Sequence, residues 1–141
     1  MKKTVIYIFF LLILSILVLN YKNKENTIKT PNKIYKVLIS NTEQKRMTGL
    51  SNTKNLNKDT VMLFIFEKPD IYGIWMKDML YPIDIVYLDD KMNVVSFFDN
   101  VKPSSYPEIF YPEEKSKYII EMNAGERIES GLYKKTKVYY K

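Results

Sequence analysis

Over residues 34–140 the chain is a series of short apolar segments, each four to six residues long, separated by turn-forming residues. That spacing is what most constrains the fold. Ile34-Tyr35-Lys36-Val37-Leu38-Ile39, Val61-Met62-Leu63-Phe64-Ile65-Phe66 and Ile83-Asp84-Ile85-Val86-Tyr87-Leu88 are rich in β-branched and aromatic side chains, which suit a pleated, half-buried surface. Residues 72–77, 93–98, 118–122 and 137–140 repeat the pattern. Two helix starts interrupt it. Ser40 with Glu43 reads as a capping box opening a helix over 41–48, which Gly49 ends. Asn123 with Glu126 opens a second helix, to about residue 130, which Gly131 ends. Elements of this kind pack as an α+β domain with a mostly antiparallel sheet, expected here as a small β-barrel-like sheet with two short helices.

A different segment precedes them. Residues 4–21 carry no charge and are nearly all apolar, with Lys2 and Lys3 in front. Eighteen residues make a helix of about 27 Å, close to the thickness of a bilayer's hydrocarbon. The run ends Leu17-Val18-Leu19-Asn20-Tyr21 without the small residues of a cleavage site. This predicts a single N-terminal transmembrane helix over residues 1–21, kept as a signal-anchor, with the membrane as a partner. The folded part is then expected outside the cytoplasm. Residues 22–33 read as a polar linker and 34–141 as the globular domain.

Composition removes several kinds of chemistry. There is no cysteine and no histidine, so thiol redox chemistry, a Ser-His-Asp triad and a conventional zinc site are excluded. The net charge of +6 is spread along the chain rather than clustered on one segment, which argues against a nucleic-acid partner. Asp89-Asp90-Lys91-Met92-Asn93 lacks the glycine and distal glutamate of a calcium loop. No phosphate-cradling glycine motif occurs. Neither a metal nor a cofactor is expected.

What remains is charge set among apolar neighbours. Buried charges are costly unless paired, so such residues hold a structural or a functional job. Asp84 alternates with Val86 and Leu88 on one face of its strand, and Glu121 sits among Ile119, Ile120 and Met122. Two carboxylates on one small sheet, sharing a cleft with Lys77 or Arg46, could serve as an acid–base pair, as oxygen ligands or as a grip on a polar ligand. The same pattern fits a salt bridge that fixes helix to sheet. Trp75, the only tryptophan, reads first as a core aromatic and alternatively as an exposed platform for a sugar or peptide. Tyr106 lies in a proline-rich loop over residues 100–117, a length that marks functional or surface loops.

The ordered set of motifs resembles one family. Glu43-Gln44-Lys45-Arg46 leads into Gly49-Leu50, followed by Met62-Leu63-Phe64-Ile65-Phe66, Trp75-Met76-Lys77, Pro82-Ile83-Asp84-Ile85, Glu121 with Ala124-Gly125, and Gly131-Leu132. In this order they are similar to the domain of unknown function 192 family, small bacterial and archaeal proteins often exported. The chain departs from that pattern at Ser51, Val61 and Asp78-Met79, where the family favours Met, Gly and Asn-Thr. The resemblance implies a β-rich fold with short helices and carries no activity.

The sequence therefore predicts a membrane-anchored envelope domain that binds a ligand or protein partner without catalysis. Lys77, Trp75, Arg46 and Tyr106 are its candidate binding residues. The alternatives are a carboxylate-dependent hydrolase acting on an envelope polymer through Asp84 and Glu121, and a structural envelope component.

Overall fold

The computed structural model describes the backbone of residues 2–22 and 25–141 and the side-chain surroundings of residues 5–16 and 25–141. The elements in chain order are α1 (Lys2–Lys22), β1 (Thr27–Lys29), β2 (Ile34–Ser40), α2 (Glu43–Thr48), β3 (Thr60–Asp70), β4 (Ile74–Trp75), β5 (Ile83–Leu88) and β6 (Val94–Val101). A 3-10 turn at Pro103–Ser105 follows, then β7 (Ile109–Phe110), β8 (Ser116–Asn123), α3 (Glu126–Glu129) and β9 (Tyr139–Tyr140).

Seven strands form one sheet in the order β6-β5-β8-β3-β2-β1-β9, and β4 pairs with β7 in a separate ribbon. Every pairing is antiparallel except β2 with β3. A parallel pair needs a crossover connection, and α2 lies on it. The Thr42 hydroxyl accepts the Lys45 N–H at 3.3 Å and so caps α2, two residues after the expected Ser40. Gly49 ends the helix at φ +49°, a left-handed conformation that costs glycine little.

Register decides which side chains share a face. In the three central strands Met62 pairs with Glu121 and Glu121 with Ile85, while Asp84 pairs with Met122. One face of the sheet therefore carries Val61, Leu63, Val86, Ile120 and Met122, buried under Leu132 and Val138. The other carries Phe64, Ile85, Tyr87 and Ile119, buried under Leu50, Ile74, Met76 and Met79. Both faces are dry, which explains why all six residues of β5 are buried and why its sequence is a nearly continuous apolar run. Each large side chain in these layers contributes about 1.5–3 kcal/mol of burial free energy.

Two expectations are corrected. The sheet is not a closed barrel. Its edge strands β6 and β9 are not paired, because β9 has only two residues against eight in β6. The segment before β9 meets the start of β6 instead, through Val94 N–H to Thr136 O at 2.9 Å, Lys135 N–H to Val94 O at 2.7 Å and a single bridge between Asn93 and Lys137.

The second correction concerns the N-terminus. Among the described residues no helix is long and apolar enough to cross a membrane. The side chains of residues 4 and 17–21, part of the expected anchor, lie outside the described residues, as do residues 23 and 24 of the expected linker. A single-pass anchor over 4–21, and the membrane location of the domain that rested on it, are not supported. Within the segment read as linker, residues 27–29 form β1, with Ile28 fully buried.

Candidate functional site

Asp84 is fully buried at the end of β5. Its carboxylate accepts backbone N–H groups from three places: Asn100 at 2.8 Å, Gly125 at 2.8 Å and Arg127 at 3.0 Å. It ties β6 and the start of α3 to the central strand, and its two oxygens are used up in doing so. Beside it Arg127, also buried, makes a two-pronged ion pair with Asp99, donates to Leu132 O at 2.8 Å and stacks on Phe97 at 3.8 Å from the ring centroid. The sequence reading missed Arg127 and Asp99, since nothing local marks a charge whose partner lies 28 residues away.

Glu121 is on the opposite face of the sheet. Asp84 shares its face with Met122, and Glu121 with Ile85, so the two carboxyls cannot meet in one cleft. Glu121 is 5% exposed, and its Oε2 is fully buried with no hydrogen-bond partner among the described residues. Burial pushes its carboxyl up from 4.5 to about 8. The side chain is thus mainly protonated at neutral pH. Among the described residues no cation forms an ion pair with it, although Arg46 and Lys77 were the expected partners.

The Glu121 carboxyl lines a cavity of about 60 Å³ whose other walls include Arg46, Gly49, Leu50, Phe64 and Met79. That inner pocket adjoins a wider groove of about 270 Å³ between α2 and β4, and Arg46, Met47, Phe64, Gly73, Ile74 and Trp75 line both. The wider groove has mainly apolar walls, and the inner pocket adds the polar side chains of Arg46, Thr48, Ser51 and Glu121. Small-molecule sites share that arrangement. Among the described residues no three acidic side chains converge where a metal would sit.

The crossover through α2 positions this groove. Arg46 is half-buried, donates to Ile65 O at 3.0 Å and lies 5.0 Å above the Phe66 ring. Phe66 in turn stacks on Tyr72 with centroids 3.6 Å apart. On the other side Gly73, next to β4, lets β7 pack close against it, since a Cβ there would overlap Ile109 and Tyr111. Glycine just ahead of a strand pattern was the available signal for such an approach.

Trp75 is not a core residue. It is 47% exposed at the groove's edge and meets Tyr106 edge-on at 6.2 Å, with the Lys77 ammonium 5.9 Å from its ring. Pairing of Trp75 with Ile109 explains the exposure, because both point away from the buried Ile74–Phe110 side of the ribbon. Of the residues expected to bind, the structure brings Arg46 and Trp75 to the groove with Glu121. Lys77 and Tyr106 flank Trp75 outside it, and Asp84 is excluded.

Comparison with other proteins agrees with this architecture. A UPF0127 protein of Thermococcus sibiricus is 33% identical over 99 residues, covering 69% of this chain and 62% of that protein. The chain thus spans less than two thirds of that relative's length. Two solved structures share the fold at 21% identity. One is a candidate transcription regulator of Sinorhizobium meliloti 1021, with a TM-score of 0.75 over 82% of this chain and 92% of the other. The second is a protein of unknown function from Novosphingobium aromaticivorans, with a TM-score of 0.73 over 82% and 83%. The sequence profile of the DUF192 family, described as uncharacterized ACR, matches residues 24–139. The chain belongs to the DUF192 family.

Proposed function

We propose that this domain is a non-catalytic binding module whose ligand lies in the groove between α2 and β4 with its end in the inner pocket. The observation that carries this reading is the buried Oε2 of Glu121, bonded to nothing among the described residues, in a side chain that lines the inner pocket. A buried polar atom without a partner costs about 1–3 kcal/mol. A ligand that supplies the partner recovers that cost. A hydrolytic reading needs a second carboxyl, and Asp84 is spent on backbone N–H groups across the sheet. Among the described residues neither a base nor a cation is bonded to Glu121.

The groove's volume of about 270 Å³ lies near the lower end of ligand pockets, about 300 Å³. It suits a small ligand or one end of a larger one. The test is an NMR titration of the ¹⁵N-labelled full chain with a library of small amphiphilic fragments. Binders should shift the amides of Gly49 and Gly73 and the indole N–H of Trp75 together. Binders that shift only resonances elsewhere, or a library with no binder at all, would remove this reading.

A further inference from the structure

We infer that the inner pocket takes the uncharged, carbonyl-bearing end of a ligand, a carboxamide or N-acyl group, with the Glu121 carboxyl donating the hydrogen bond. This rests on the groove being a binding site and adds the class of ligand it accepts.

The argument compares what each kind of head would cost. The groups around Glu121 are Met62 and Phe64 from β3, Ile85 and Tyr87 from β5, Tyr81 from the loop ahead of β5, and Arg46 from α2. Burial pushes the Tyr81 and Tyr87 phenols upward, so both stay neutral. Their hydroxyls are already engaged, Tyr87 donating to Phe110 O at 2.7 Å and Tyr81 meeting the Thr53 hydroxyl at 2.8 Å. That leaves the Glu121 carboxyl without a partner among the described residues, in a setting that favours its neutral form, with Arg46, Thr48 and Ser51 as the other polar side chains of the inner pocket.

An ammonium head would require Glu121 to lose its proton and two desolvated charges to be held, at several kcal/mol per ion before their attraction is counted. It would also approach the fixed guanidinium of Arg46 on the wall. A carboxylate head could pair with Arg46 on the wall, but it would have to give up its hydration in the pocket, at several kcal/mol before that attraction is counted. An amide brings no charge. Its carbonyl accepts the Glu121 proton, and its N–H donates to the other carboxyl oxygen. The apolar walls, Met47, Phe64 and Ile74 among them, cover the hydrocarbon that follows.

Hexanamide, hexylamine and hexanoate share one chain length and differ in the head. Titrated into the full chain near neutral pH, hexanamide should bind at least about tenfold more tightly than the other two, a difference of about 1.4 kcal/mol. Its affinity should fall as pH rises through about 8, because the ionised carboxyl has no proton to donate. Glu121→Gln keeps a donor and an acceptor, so it should hold hexanamide within a few-fold and lose the pH dependence. Tightest binding of hexylamine, growing stronger with pH, would overturn the inference, as would tightest binding of hexanoate. Either result would leave the groove itself standing as a binding site. If none of the three moves the Gly73 and Trp75 resonances while other fragments do, the ligand class is wrong. If no compound moves them, the groove reading fails as well.

Discussion

Asp84 and Glu121 stand on neighbouring strands one residue out of register, and their carboxyls face opposite sides of the sheet. That offset divides the labour between two buried acids. Asp84 is saturated by three backbone N–H groups and holds the fold. Glu121 is unpartnered at the base of a pocket and is free to meet a ligand.

Replacing Asp84 should therefore damage stability and leave the groove's chemistry alone. Asp84→Ala removes the acceptor of three backbone N–H groups, that of Arg127 buried and those of Asn100 and Gly125 part-buried, and a buried donor left unpaired costs about 1–3 kcal/mol, so a loss of at least about 1 kcal/mol is expected in urea unfolding. A variant of unchanged midpoint would show that the three bonds are not needed.

Glu121 should make stability depend on pH in the unusual direction. Its carboxyl is raised in the folded protein, to about 8 from 4.5. Between those values the folded state holds a proton that the unfolded state has released. Stability should then fall as pH rises from about 4.5 to about 8 and level off above, because unfolding becomes easier when it releases protons. The full change is at most about 5 kcal/mol. Glu121→Gln should remove that slope and stabilise the protein near pH 7. Denaturation curves at a series of pH values measure both effects.

Arg127→Lys should be destabilising although the charge is kept. Lysine cannot reproduce the two-pronged contact with Asp99 or the stacking on Phe97. Asp99 is 41% exposed, so a loss of about 1–3 kcal/mol is expected for the lost charge-assisted bonds, read as a lower urea midpoint at unchanged slope.

Gly73→Ala tests the packing that shapes the groove. The added methyl would overlap the Ile109 side chain and lie 2.6 Å from the Tyr111 ring, forcing β7 away from β4. Overpacking of this kind costs about 1–3 kcal/mol. The Trp75–Tyr106 contact should open with it, changing the fluorescence of the only tryptophan.

Much of this arrangement was legible in the sequence, and what was not has physical causes. Strand β5 was read with its observed bounds, and the alternation of Asp84 with Val86 and Leu88 placed all three on one face as found. Alternation within a strand says nothing about register between strands, so a common cleft for Asp84 and Glu121 was compatible with the sequence and wrong in space. Trp75 looked like core because its neighbours are apolar, yet it belongs to a two-residue ribbon with a solvent side. Barrel closure failed on the length of β9, since 137–140 reads as one strand but only Tyr139 and Tyr140 pair with β1, while Lys137 makes a single bridge to Asn93. β1 was hidden because Thr27, Ile28 and Lys29 hold a single strongly apolar residue, too little to stand out from a polar linker. The pairing of Asp99 with Arg127 across the fold left no local trace.

The most direct test follows the Glu121 carboxyl itself by ¹³C NMR, titrating protein labelled at glutamate δ-carbons with and without hexanamide. The account predicts one glutamate with a midpoint near 8, assigned through its loss in Glu121→Gln and moved higher by the amide. A midpoint for Glu121 near the ordinary value of 4.5, unmoved by hexanamide, would contradict it.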